Sequence, residues 1–106
     1  MAHIRIAVFL NSHCYADVSA SEVAAQTEIP VDSIITQKSV TDYEVLTDVD
    51  AFVTANGKWT EIDQLCWLNM GMTKSDCKAI FLTLLKCFYI EACKGRQQIL
   101  IVDCHI

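Results

Sequence analysis

The chain has 106 residues, a formal net charge of −5, 53% hydrophobic and 20% charged residues, 3 Gly and a single Pro. That length predicts one compact domain spanning residues 1–106, and the apolar content, high enough to offset ordering entropy, excludes disordered, collagen-like and linker-like chains. With only 8 Lys and Arg the chain cannot present a dominant phosphate-neutralising face, so nucleic acid is not the expected partner.

Residues 3–10 alternate Ile4, Ile6, Val8 and Leu10 against His3, Arg5, Ala7 and Phe9, the period-2 pattern of a strand. Asn11, Ser12 and His13 break it. Ser19 and Glu22 then have the Ser-x-x-Glu spacing of a capping box and open a helix over residues 20–27, which ends before Pro30. Over residues 31–37, Val31, Ile34 and Ile35 have helical spacing while their β-branched character suits a strand, and a short helix is expected.

From Thr47 onward one punctuation recurs three times, a Thr with Asp three residues on and a Gly at the far end. Thr47 and Asp50 pair with Asn56-Gly57, Thr60 and Asp63 with Gly71, and Thr73 and Asp76 with Gly95. A capping hydroxyl, an acid at the positive helix end and a Gly for the left-handed stop predict three consecutive helices. Residues 99–102 form an apolar run reaching Cys104, which reads as a buried strand. The expected fold class is α+β: a helix-rich single domain with three consecutive helices in the C-terminal half, and N- and C-terminal strands pairing in a small sheet.

Within residues 74–94, Cys77, Ile80, Phe81, Leu84, Leu85, Phe88 and Ala92 make a dense apolar face, with Phe81, Leu84, Leu85 and Phe88 expected at the centre of the core. The other side carries Ala79, Leu82, Tyr89, Ile90 and Cys93 among only Thr83, Lys86 and Lys94. A small domain has difficulty enclosing a helix on every side, so this second face is a candidate partner or self-association surface.

Residues 1–63 hold 10 acids against 3 bases, and the stretch Asp42, Tyr43, Glu44, Asp48, Asp50 contains no base at all. Such a segment suits a basic partner surface. The candidate partner-binding set is therefore Asp42, Tyr43, Glu44, Asp48, Asp50, Leu82, Tyr89 and Ile90, with Tyr89 as the best single anchor.

Residues 21–34 look like the helix-turn-helix unit of bacterial regulators: Ala24 stands at the small position where the helices cross and Ile34 at the apolar anchor of the second helix. The resemblance implies a nucleic-acid-binding regulator built on residues 21–39. Glu28 occupies the place of the motif's turn Gly, and residues 31–39 offer a single base, Lys38.

Cys14, beside His13 and ahead of a helix start, has the setting of a dipole-stabilised thiolate and supports a third reading, a thiol-dependent enzyme. It lacks an anion-cradling Gly and Arg. The 6 Cys include no Cys-x-x-Cys pair, and no nucleotide-binding or hydrolase signature is present. No metal and no cofactor are expected. The N-terminus has no signal-like segment, which points to free thiols in a cytoplasmic protein, and no apolar run is long enough for a membrane span. The leading expectation is a small acidic protein-binding module, an inhibitor, adaptor or accessory subunit that is not an enzyme, with a protein partner of basic character or a second copy of itself.

Overall fold

A computed structural model describes residues 3–10, 18–68 and 71–105. In chain order the elements are β1 (His3–Phe9), α1 (Ala20–Thr27), a 3-10 turn (Val31–Ser33), β2 (Ile34–Ser39), a 3-10 helix (Tyr43–Asp48), β3 (Ala51–Val53), β4 (Trp59–Glu61), α2 (Ile62–Leu68), α3 (Lys74–Lys94) and β5 (Ile99–His105). The strands form one sheet in the order β2-β5-β1-β3-β4. β1 and β3 run parallel, and the other neighbours are antiparallel.

The alternation along β1 and β5 divides the core in two. Ile6, Val8 and Leu10, with Leu100, Val102 and Cys104, pack on the side of Val23 from α1. Ala7 and Phe9, with Ile99 and Ile101, pack on the side of Phe81, Leu85 and Ala92 from α3. The register agrees, since Ile6 lies opposite Val102 and Ala7 opposite Ile101. A sheet covered on both faces needs apolar residues at successive positions, which is why both strands read as continuous apolar runs. Each large side chain so buried contributes about 1.5–3 kcal/mol.

The fold is thus mixed α/β around a five-stranded sheet, with one long helix. The expected helix-rich architecture is wrong. The terminal strands β1 and β5 do pair, but at the middle of a larger sheet.

Of the three predicted helices, the first gives way to other structure. The Thr47 hydroxyl donates to the Glu44 carbonyl at 2.7 Å and caps no helix. The Asp50 carboxylate accepts from the Arg5 N–H at 3.0 Å, and the Asp50 N–H donates to the Arg5 carbonyl at 2.8 Å, which holds β3 beside β1. Asn56-Gly57 lies in the connection between the antiparallel β3 and β4, where Gly57 takes φ +84° and donates to the Thr54 carbonyl at 2.9 Å. Asn-Gly is a hairpin signal as well as a helix stop, and here it serves the hairpin.

The second predicted helix shrinks to the seven residues of α2, because Thr60 belongs to β4. The third has the expected bounds: the Thr73 hydroxyl accepts from the Asp76 N–H at 3.1 Å, the Asp76 carboxylate accepts from the Thr73 N–H at 3.4 Å, and the helix stops at Gly95, although Gly95 keeps φ −84° and the left-handed conformation expected of it falls to Arg96 at φ 54°.

The short helix expected over residues 31–37 is also replaced, since pairing with β5 makes Ile34–Ser39 a strand. Its β-branched residues fit the pleat, and a register irregularity between Ile34 and Thr36 leaves Ile35 40% exposed. Glu28 does adopt the left-handed turn, at φ 64°, but the helix that should follow in a helix-turn-helix unit is β2.

In α3 the fully buried residues include Cys77, Phe81 and Leu85, whereas Leu84 is 38% and Phe88 40% exposed. These last two sit on the margin of the core rather than at its centre, because the helix is turned to bring Cys77, Phe81, Leu85 and Ala92 inward. Cys87, Cys93 and Cys104 are free thiols. Cys77 is disulfide-bonded, which corrects the expectation for that residue. Among the described residues no helix is long and apolar enough to cross a membrane.

Candidate functional site

The acidic segment and the second face of α3, separate in sequence, meet in space. Asp42 starts the 3-10 helix by accepting the Glu44 N–H at 2.8 Å, a side-chain cap that fixes where Tyr43 emerges. Leu82 and Tyr89, seven residues apart and so on one side of α3, face that segment. The Tyr43 hydroxyl donates to the Leu82 carbonyl at 3.2 Å, and the rings of Tyr43 and Tyr89 lie 5.4 Å apart, inclined by 50°. Lys86 Nζ stands 5.7 Å from the centre of the Tyr43 ring, within cation–π range.

Tyr43, Leu82 and Tyr89 are half-buried and pack against the α3-side core, so each has an apolar body inside and a margin outside. The Tyr89 phenol ionises above its usual range, chiefly through its hydrogen bond with the Cys93 side chain, then through desolvation and the nearby charges of Cys93 and Asp42. It is neutral at physiological pH.

Asp42, Tyr43, Glu44, Leu82 and Tyr89 thus share one seam between two elements. Ile90 stands outside the seam, 43% exposed, and Val45 of the 3-10 helix is 42% exposed. Asp48 is exposed at the far end of the same helix. Asp50 is engaged with the Arg5 backbone and serves the sheet. Among the described residues the ion pairs are His3 with Asp103 and Lys94 with Glu91, so Asp42, Glu44 and Asp48 have no basic partner.

The sequence marks Lys86 only as a polar interruption of α3 and puts Leu84 and Phe88 at the centre of the core, where the structure leaves them partly exposed. Phe88 lies 5.8 Å from the Phe9 ring and 5.3 Å from the Phe52 ring, closing the core while keeping an outer edge in water. Periodicity puts these residues on the apolar side without revealing that the sheet stops short of covering them.

The thiol-enzyme reading rests on His13 and Cys14, which lie outside the described residues. Among the described cysteines, Cys104 is buried and its Sγ lies 3.6 Å from the Ile4 carbonyl oxygen. Burial, with a smaller effect of Asp103, pushes its thiol up, the opposite of activation. The seam has apolar area, aromatic edges and unpaired carboxylates, which is the equipment of recognition. No protein-family model, curated protein or solved structure matches the chain.

Proposed function

We propose that the protein is a binding module that recognises a basic protein surface through the seam between the 3-10 helix and α3, and performs no chemistry of its own. The observation that carries this reading is the meeting of Tyr43 with Tyr89, flanked by Asp42 and Glu44, whose carboxylates have no ion pair among the described residues. Aromatic side chains supply contact area at small entropic cost, and uncompensated acids steer an oppositely charged partner. A nucleic-acid role loses support because β2 stands where the recognition helix would be.

The test is capture of partners from the native source, followed by affinity measurement with the wild type and with D42K/E44K and I90D variants. All three positions are exposed, and because the Asp42 carboxylate also caps the 3-10 helix, E44K alone is measured beside the double variant as the charge change that keeps the cap. The reading expects a basic partner whose affinity falls at least about tenfold in D42K/E44K, since several charge contacts each contribute up to about 1 kcal/mol. Unchanged affinity in both variants, with circular dichroism intact, overturns it.

The exposed Leu84 and Phe88 support a second copy of the chain as an alternative occupant of α3. Light scattering separates the two, because a dimer would lose mass on Leu84→Asp. The free thiols of Cys87, Cys93 and Cys104 support a cytoplasmic location and the bridge at Cys77 opposes it. The mass of native protein without reductant decides between them.

A further inference from the structure

On the opposite side of the sheet from α3, a cavity of about 290 Å³ opens between the end of α1, β4 and the paired ends of β1 and β5. Ile4, Ile29, Pro30 and Trp59 give it apolar walls, and Glu28 and Glu61 supply its charged groups. Its size is at the lower bound of small-ligand sites, which combine a mostly apolar lining with a few placed polar groups.

Those polar groups share one character. Glu28 and Glu61 are exposed carboxylates without an ion pair among the described residues. The backbone of Glu28 is fixed at the mouth: it closes α1 in the left-handed conformation at φ 64°, with its N–H donating to the Ala24 carbonyl at 2.8 Å. The carboxyl-terminal end of α1 adds partial negative charge beside the opening.

Trp59 completes the site. Its Nε1–H donates to the Thr27 carbonyl at 3.1 Å, so the indole is fixed through its only polar atom and its ring system is left for contact. No Lys or Arg of the described residues lines the cavity to satisfy the two carboxylates. An apolar recess with an indole, two unpaired carboxylates and a helix carboxyl end is complementary to a positive charge on an apolar body.

We infer that this cavity binds a small organic cation, an ammonium carried on an aryl or alkyl group. The body lies against Ile4, Ile29, Pro30 and Trp59 while the ammonium faces Glu28 and Glu61. The site is independent of the seam on α3, and either can fail without the other.

The experiment is a titration of the isotope-labelled chain with phenethylamine, and in parallel with its neutral counterpart 2-phenylethanol, followed by amide and indole N–H shifts. Binding is expected as saturable shifts at the Trp59 indole and at residues 28–30, 61 and 105, with the alcohol at least about tenfold weaker. The E28Q/E61Q double variant, altered only at exposed side chains, should lose about tenfold in affinity and keep its fold. Trp59→Leu should weaken binding about threefold or more, as loss of a cation–π contact requires. Absence of saturable shifts up to about 10 mM, equal affinity for the alcohol, or shifts confined to the 3-10 helix and α3 overturns the proposal.

Discussion

The side-chain amide of Gln26 on α1 lies 2.7 Å from the Phe9 carbonyl oxygen, and the same Nε2 reaches the Thr54 carbonyl at 3.1 Å. One donor thus ties together the ends of the two parallel strands β1 and β3. Gln26→Ala should cost about 1–3 kcal/mol, because both carbonyls lose a donor. Gln26→Glu should cost more at pH 7, where an ionised carboxylate faces two acceptors. Part of the loss should return as pH falls below about 4.3 and the carboxyl regains a proton to donate. Urea denaturation at pH 7 and pH 4 measures this, and equal stability of the two variants at pH 7 would count against the bridge.

Leu85 and Leu84 are adjacent in sequence and unlike in setting, fully buried and 38% exposed respectively. Leu85→Ala should cost about 2–5 kcal/mol through transfer and cavity terms. Leu84→Ala removes surface that remains partly wet and should cost under about 1.5 kcal/mol. Similar losses in chemical denaturation would mean that α3 is rotated from the orientation described.

The thiols should separate by rate of alkylation. Cys87 and Cys93 are exposed and should react at once in the folded protein, while Cys104 should react only on unfolding and Cys77 only after reduction. Peptide mapping after timed labelling reads all four. Rapid labelling of Cys77 without reductant would remove the bridge.

Cys104 also predicts a pH dependence. Burial raises its thiol above the ordinary 9.0, so the folded chain keeps a proton that the unfolded chain gives up. The corresponding stability is fully present below pH 9.0 and is lost as pH rises from there through the higher folded-state value. Cys104→Val should flatten stability between pH 8 and pH 10.5 relative to the wild type, and an unchanged slope would assign the alkaline loss to other groups. Tyr89 acts in the same sense at higher pH, and Tyr89→Phe separates its share.

What was legible in the sequence was local and long. β1 and β5 show seven-residue strands, and Thr73, Asp76 and Gly95 mark the ends of α3 correctly because a capping box and a stop act within a single turn. β3 and β4 have three residues each, too short for any period to show. Thr47 and Asp50 match the spacing that caps α3, yet one turns to Glu44 and the other to Arg5, forty-five residues away. A propensity pattern cannot foresee a backbone partner supplied by another strand. β2 escapes the sequence for a related reason: Ile34, Ile35 and Thr36 favour a strand, but an edge strand exists only once β5 offers its side. The seam had the same standing, since Tyr43 and Tyr89 could be picked out individually and only the fold shows that they touch.

The place of β5 has a consequence for the order of assembly. It is the last strand in sequence yet lies between β2 and β1, and its pairing sets His3 opposite His105 with their rings 4.8 Å apart. No strand partner exists for β2 until residues 99–105 are available, and one side of β1 stays bare for the same interval. The β1–β5 pairing therefore spans nearly the whole chain and the β2–β5 pairing more than half of it, non-local contacts of the kind that slow folding. A nascent chain halted before Ile99 would expose the unpaired edge and apolar faces of β1, the kind of surface that chaperones hold and that aggregates when they do not.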